Sequence, residues 1–342
     1  MIWLTWRQFR VQAAAAIAVL AAFGVVLAAT GSHLASLYRS DGVTGCRGGG
    51  CGQLASSFLD DAGAGAYSVV YALGIAGIVL APAVIGLFWG APLIAREFET
   101  GTFRLAWTQT ITRTRWLAAK LALPGLAAMA VTAGLSLMFG WWAAPIGQAA
   151  RLATGSSFPL GMGPFSLLAF DAHGITPLGY AAFAFTLGVT AGLLLRRAIP
   201  AMAVTLAIFA AVQVVMPLGI RPHLFPPDRT TAAITSLSSL SGATHMSGGS
   251  FAFTVRNLPS QPGAWIISTG AVNASGHPVS TIPAACRHQG QSCLASHGIR
   301  VAVTYEPTSR YWAIQWTETA IYLALALALA GYCFWRLARR LS

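Results

Sequence analysis

Six apolar runs recur along the chain, at residues 11–30, 66–94, 117–142, 178–195, 201–218 and 317–335, with polar or glycine-rich stretches between them. Crossing a bilayer core as a helix takes roughly 20 apolar residues, because backbone amides must be paired within the segment when no water is present. The pattern therefore predicts six membrane-spanning helices. Ahead of the first, Ile2, Trp6 and Phe9 recur at helical spacing with Arg7, Gln8 and Arg10 between them, which predicts a short amphipathic helix over residues 1–10 lying on the membrane surface. The first run has the basic start of a secretory signal, but its length and the five runs after it favour an uncleaved span. Pro82 and Pro92 lie inside the second run and predict a bend, since proline frees a carbonyl and crowds the preceding turn. Arg196 to Pro200 leave room for only a tight basic turn, so the fourth and fifth helices must be antiparallel neighbours.

The connections differ in character. Residues 31–65 and 143–177 are rich in Gly, Ser and Pro and read as loops, the second carrying a lone Asp171. Residues 220–311 form the one stretch able to make a small water-soluble unit. Within it, 251–255, 265–269 and 299–305 are β-branched and aromatic segments set off by Gly, Pro, Asn and Ser, which predicts strands. Tyr305, Tyr311, Trp312 and Trp316 precede the last run as an interfacial aromatic belt, as Trp141 and Trp142 close the third.

Composition agrees with the pattern: 56% of residues are hydrophobic and 9% charged, which excludes an ordinary soluble surface. The formal charge of +12 sits at helix ends and in loops, without a basic stripe or nucleic-acid motif. With the N-terminus inside, Arg7, Arg10, Arg96, Arg104, Arg113, Arg115, Lys120, Arg196, Arg197, Arg336, Arg339 and Arg340 all fall on inner segments, and the remainder are spread over long outer loops. That asymmetry predicts cytoplasmic termini in a cell-membrane protein.

Several chemistries are missing. The only lysine, Lys120, stands between Ala119 and Leu121, so no phosphate-cradling G-x-x-x-x-G-K-[ST] loop exists in the sequence. Ionisable residues are almost absent from the runs; Glu318 stands near the outer end of the sixth, which argues against ion-coupled transport. No Ser/His/Asp or paired-carboxylate arrangement stands out. Cys46, Cys51, Cys286 and Cys293 fall on outer segments and are disulfide candidates, with connectivity open, whereas Cys333 is inside the last run. Cys286, His288, Cys293 and His297 also lie close in sequence, but their spacing matches no standard zinc arrangement, so no metal is expected.

The densest charge lies in 95–120, AREFETGTFRLAWTQTITRTRWLAAK. Here Glu99-Thr100-Gly101-Thr102, then Thr112-Arg113 and Lys120, resembles the E-x-G-T…S/T-R…K segment that follows the second helix in ABC-2 type permeases, the membrane subunits of ABC exporters. The order of parts along the chain also agrees. Thr110 departs from the pattern, standing where that family commonly has proline. The resemblance implies a coupling helix seated on a separate ATPase subunit. Glu97 and Glu99 would favour a helix N-terminus, Gly101 a tight turn, and Phe98, Phe103 and Trp107 would anchor a partner groove.

The sequence thus predicts an all-α integral membrane protein. Its parts are an interfacial helix at 1–10, five spans within 11–219 with coupling segment 95–120, a small strand-containing extracytoplasmic domain at 220–311, and a sixth span and basic tail at 312–342. The resemblance implies a homodimeric or related permease pair with two ATPase subunits, which would supply ATP and magnesium; no cofactor belongs to this chain. By analogy the second and fifth helices meet at the centre. Tyr71, Thr205, Phe209, Gln213 and Met216 are the candidate lining for a hydrophobic or amphipathic substrate, the last four sharing one helical face. The competing reading is a membrane sensor whose outer domain binds a ligand.

Overall fold

The computed structural model describes residues 2–46, 50–101, 112–153, 165–233, 243–247, 250–255, 258, 261, 263–279, 286 and 290–340. Six of its helical stretches are long and apolar enough to cross a membrane. Helix α1, Ile2–Ser40, runs through the expected surface helix and the first span without interruption. No proline lies between those residues to end the helix at Arg10.

The expected loop at 31–65 is corrected: it contains helix α2, Cys51–Ala64. Its polar composition hides Ala55, Phe58, Leu59 and Ala62, which recur at i, i+3, i+4 and i+7 and are all buried. They join Leu27, Leu34, Phe139 and Trp142 in one apolar cluster.

The second span is broken in two. Helix α3, Ala66–Ile85, carries Pro82 in its interior, a π-helical turn occupies Gly86–Gly90, and helix α4, Ala91–Thr100, begins with Pro92 in its first turn. Proline cannot donate its intrahelical bond, and the widened turn follows four residues later. The third span belongs to helix α5, Arg113–Leu152, which extends past the expected run at both ends. After the short helix α6, Leu167–Ala172, come α7, Thr176–Leu195, and α8, Ala198–Val215, joined by Arg196 and Arg197. A second π-helical turn, Met216–Ile220, and a 3-10 turn, Arg221–His223, close the fifth span.

Helix α7 is the centre of the bundle: 78% of its most apolar stretch is buried, against 6–39% in the other spans. Its closest crossing is with the broken second span. A methyl group on Gly90 would stand 2.5 Å from the Phe185 carbonyl oxygen, and one on Gly188 would stand 2.3 Å from that of Gly86. Only glycine allows two backbones this near.

The segment between the fifth and sixth spans holds the expected strands. Strands β1, Asp228–Ala233, and β2, Ala243–Ser247, are followed by β3, Ser250–Thr254, and β4, Trp265–Val272. Helix α9, Gly290–Ser296, precedes β5, Arg300–Glu306, and the chain re-enters the bundle as α10, Tyr311–Arg340. An antiparallel sheet has the order β1-β5-β4, with Val303 opposite both Thr230 and Thr269, while β2 and β3 form a hairpin. Val301, Val303, Leu294 and Ala271 make its core around a Cys286–Cys293 disulfide. A second disulfide joins Cys46 to Cys51, and Cys333 is free and buried.

Candidate coupling site

The end of α4, the start of α5 and the α7–α8 turn meet at the end of the bundle that carries both termini, where Phe9, Ile94, Trp116, Leu193 and Leu337 share one apolar cluster. Glu97 and Glu99 stand two positions apart on α4 and so project towards different neighbours. The Glu97 carboxylate forms an ion pair with Lys120 of α5, both side chains being largely buried. Lys120 also lies over the Trp116 ring, 5.0 Å from its centre.

Glu99 reaches the other neighbour. Its Oε1 accepts a hydrogen bond of 2.9 Å from the Ala198 amide, the first of α8. The opening amides of a helix have no intrahelical acceptor, and Arg197 at the N-cap offers no side-chain cap. Glu99 supplies from α4 what the α8 sequence lacks, and its charge also suits the helix dipole. Of the two glutamates expected to favour a helix N-terminus, Glu99 stands at that of α8, while Glu97 lies near the end of α4, which closes at Thr100, and pairs with Lys120 instead.

The turn between α7 and α8 adds a third tie. Arg196 adopts a left-handed conformation (φ 55°), with its amide donating to the Gly192 carbonyl at 3.0 Å. This C-capping geometry usually falls to glycine. Arg196 places its guanidinium 5.5 Å from the centre of the Phe98 ring, a cation–π contact that fixes the turn to α4. Gly101, at φ 71°, ends α4 as the expected turn. Thr102, Phe103 and Trp107 lie outside the described residues, as does Thr110, and Arg113 begins α5. Arg96, Arg115, Arg196 and Arg197 remain exposed around the junction.

At the opposite end a buried ionic cluster escapes the sequence reading. Arg221, just beyond α8, donates from Nε to Glu318 Oε2 at 2.8 Å and from Nη2 to Glu318 Oε1 at 2.9 Å, a two-pronged pair. Its Nη2 also pairs with Asp171 of α6. The Tyr180 hydroxyl of α7 lies 2.6 Å from Glu318 Oε1 and 3.0 Å from Asp171 Oδ1. Phe170 lies under the guanidinium at 4.1 Å. Two carboxyls therefore share one cation, and burial pushes the Asp171 carboxyl above its ordinary value against the pull of Arg221. Beside this cluster, Gln315 Oε1 accepts from the Ile175 and Thr176 amides at 3.0 and 3.2 Å, so α7 is capped from α10 as α8 is capped from α4.

The candidate lining residues divide. Thr205, Phe209, Gln213 and Met216 do share a face of the fifth span, and it packs within the chain: Phe209 stacks against Phe183, and Gln213 Oε1 accepts from the Tyr322 hydroxyl at 2.9 Å. The exposed large apolar side chains of that span, among them Val204, Leu206, Ile208, Val214, Val215 and Leu218, lie elsewhere on it. Tyr71 lies elsewhere, tilted against Phe139 at 5.5 Å. Among the described residues, His297 stands beside the Cys286–Cys293 disulfide, with Nδ1 3.0 Å from the Cys293 carbonyl oxygen.

Six apolar spans, four of them packed about the buried α7, with charge kept to the two ends, define a multi-pass membrane protein. Residues 17–221 match the family described as ABC-2 membrane transporter related, and the chain belongs to that family. The family is one of ABC transporter permeases, membrane components that carry no ATPase of their own and associate with an ABC ATPase subunit. The match covers the first five spans, from within α1, and ends at Arg221, the residue that closes the buried ionic cluster. No curated protein and no solved structure matches the chain.

Proposed function

We propose that the chain is the membrane-spanning subunit of an ATP-driven exporter of hydrophobic or amphipathic substrates, working as a dimer of permeases with two ATPase subunits. Segment 95–120 is the coupling element, held inside the cell with both termini. ATP and magnesium act on the partner, and the permease converts partner closure into helix movement.

The observation that carries this reading is the double tie at the end of α4. Glu97 holds α5 and Glu99 holds the start of α8, so a push on the segment reaches three spans together. These two glutamates are engaged within the chain, which leaves the exposed Arg96, Arg115, Arg196 and Arg197 to face the partner. Exposed cations of this kind suit an acidic rim around an apolar seat.

The test is purification of the tagged chain in mild detergent, followed by ATPase assay of the assembled complex. An ATPase subunit should co-purify, and charge reversal at Arg96 with Arg115 should weaken its retention. Recovery of the chain without an ATPase, or retention indifferent to those arginines, would sink the proposal.

A further inference from the structure

A cavity of about 290 Å³ opens between α3, α5, the end of α6 and the start of α10, away from the coupling site. Tyr71, Arg151, His173 and Tyr311 line it, and Gly140 and Gly147 of α5 form part of its floor. A methyl group built on either glycine meets no atom within 4 Å. Glycine inside a helix costs about 1 kcal/mol relative to alanine, and a glycine at a helix crossing is normally explained by a close neighbour. Among the described residues neither has such a neighbour, so the absence of a side chain at both leaves this space open.

The polar groups give that space a sign. Arg151, in the last turn of α5, has no carboxylate partner among the described residues, and no acid lines the cavity. His173 donates from Nδ1 to the Ala169 carbonyl at 2.7 Å, and burial keeps its ring below its ordinary value, towards the neutral form. Tyr311 accepts a bond from Gln315 Nε2 at 3.1 Å, which leaves its proton for another acceptor. A guanidinium from α5 and a phenol from α10 lining the same cavity suit an oxyanion such as phosphate, sulfate or carboxylate.

The surroundings supply the other half. On α5, Leu137 and Trp141 are 73% and 66% exposed; Leu137 precedes Gly140 along the span, and the Trp141 ring lies against Gly31 of α1. A chain lying over them would bring its polar end to Arg151. A second copy of α5 would be a poor occupant, since the helix contains three arginines and a lysine and no acid.

We infer that this cavity is a binding site for the anionic head of a single-chain amphiphile, with Arg151 as the charge that selects it and Gly140 and Gly147 as the positions that keep it open. The inference goes beyond the coupling reading and does not depend on an ATPase.

The test is native mass spectrometry of the full chain in a neutral detergent with dodecyl phosphate added. The unaltered chain should retain one dodecyl phosphate. Arg151→Gln should reduce the retained fraction about tenfold, the size expected on losing a charge-assisted hydrogen bond. Gly147→Leu, which fills the space and improves helix propensity, should reduce it as much. Retention unchanged in both variants would overturn the inference. Equal retention of inorganic phosphate would mark a free-anion site, and equal retention of dodecanol an uncharged crevice; either outcome refutes the amphiphile. A change of oligomeric mass in Gly147→Leu, with retention intact, would give the surface to a second copy and also refute it.

Discussion

The Glu99 carboxylate and the Ala198 amide, 99 positions apart in sequence, form one hydrogen bond of 2.9 Å that caps α8 from the end of α4. A helix whose first amide is satisfied by a side chain on another span cannot shift against that span without exposing the amide. The contact therefore makes the start of the fifth span sense the position of the second.

Removing it should loosen that link more than it destabilises the fold. Glu99→Ala is expected to cost about 1 kcal/mol, the usual worth of an N-cap. In the assembled transporter, ATP hydrolysis should persist while its response to substrate is lost. Equal loss of basal and stimulated hydrolysis would argue for a plain folding defect.

Lys120 and Glu97 test the second tie. Lys120→Met leaves a largely buried carboxylate without its cation and should destabilise by about 3–5 kcal/mol, whereas adding Glu97→Gln should recover most of the loss. A double-mutant cycle by thermal unfolding measures the pair, and additive effects would show that the two side chains do not interact.

The buried cluster predicts an ordering. Arg221→Met strands two carboxyls and should cost about 3–5 kcal/mol. Asp171→Asn should cost much less, since Glu318 keeps both prongs of the guanidinium. Comparison of the two unfolding midpoints checks the order.

His173 predicts a pH dependence. Burial holds its value below 6.5, so the folded chain binds this proton less readily than the unfolded one. Its stabilising contribution is complete above pH 6.5 and is lost as the pH falls through the lowered value. Asp171, with its carboxyl pushed up, works in the opposite sense and is common to both proteins compared. The midpoint difference between the unaltered chain and His173→Asn should therefore narrow from pH 7 to pH 5.

Much of this architecture is legible in the residues themselves. Apolar length gives the six spans, and β-branched clusters place β3, β4 and β5 close to where they occur. Helix α2 escapes because four buried residues at helical spacing are diluted by Gly, Ser and Asp. The ionic cluster escapes because Asp171, Arg221 and Glu318 sit on three elements, each looking like an isolated charge beside a span. A signal was available: two acids and one arginine flank consecutive spans on the side opposite the basic loops. For Glu97 and Glu99 the residues were visible and their partners were not, since caps supplied from another helix leave no local pattern.

The glycines at the α7 crossing carry a mechanical consequence. With Gly90 against Phe185 and Gly188 against Gly86, the two backbones touch without side chains between them to act as a bearing. Backbones packed this closely resist sliding, which favours movement of the second and fourth spans together. Under the proposed coupling role, displacement entering at Glu97 and Glu99 would be carried to the far end of α7, beside Tyr180 and Asp171.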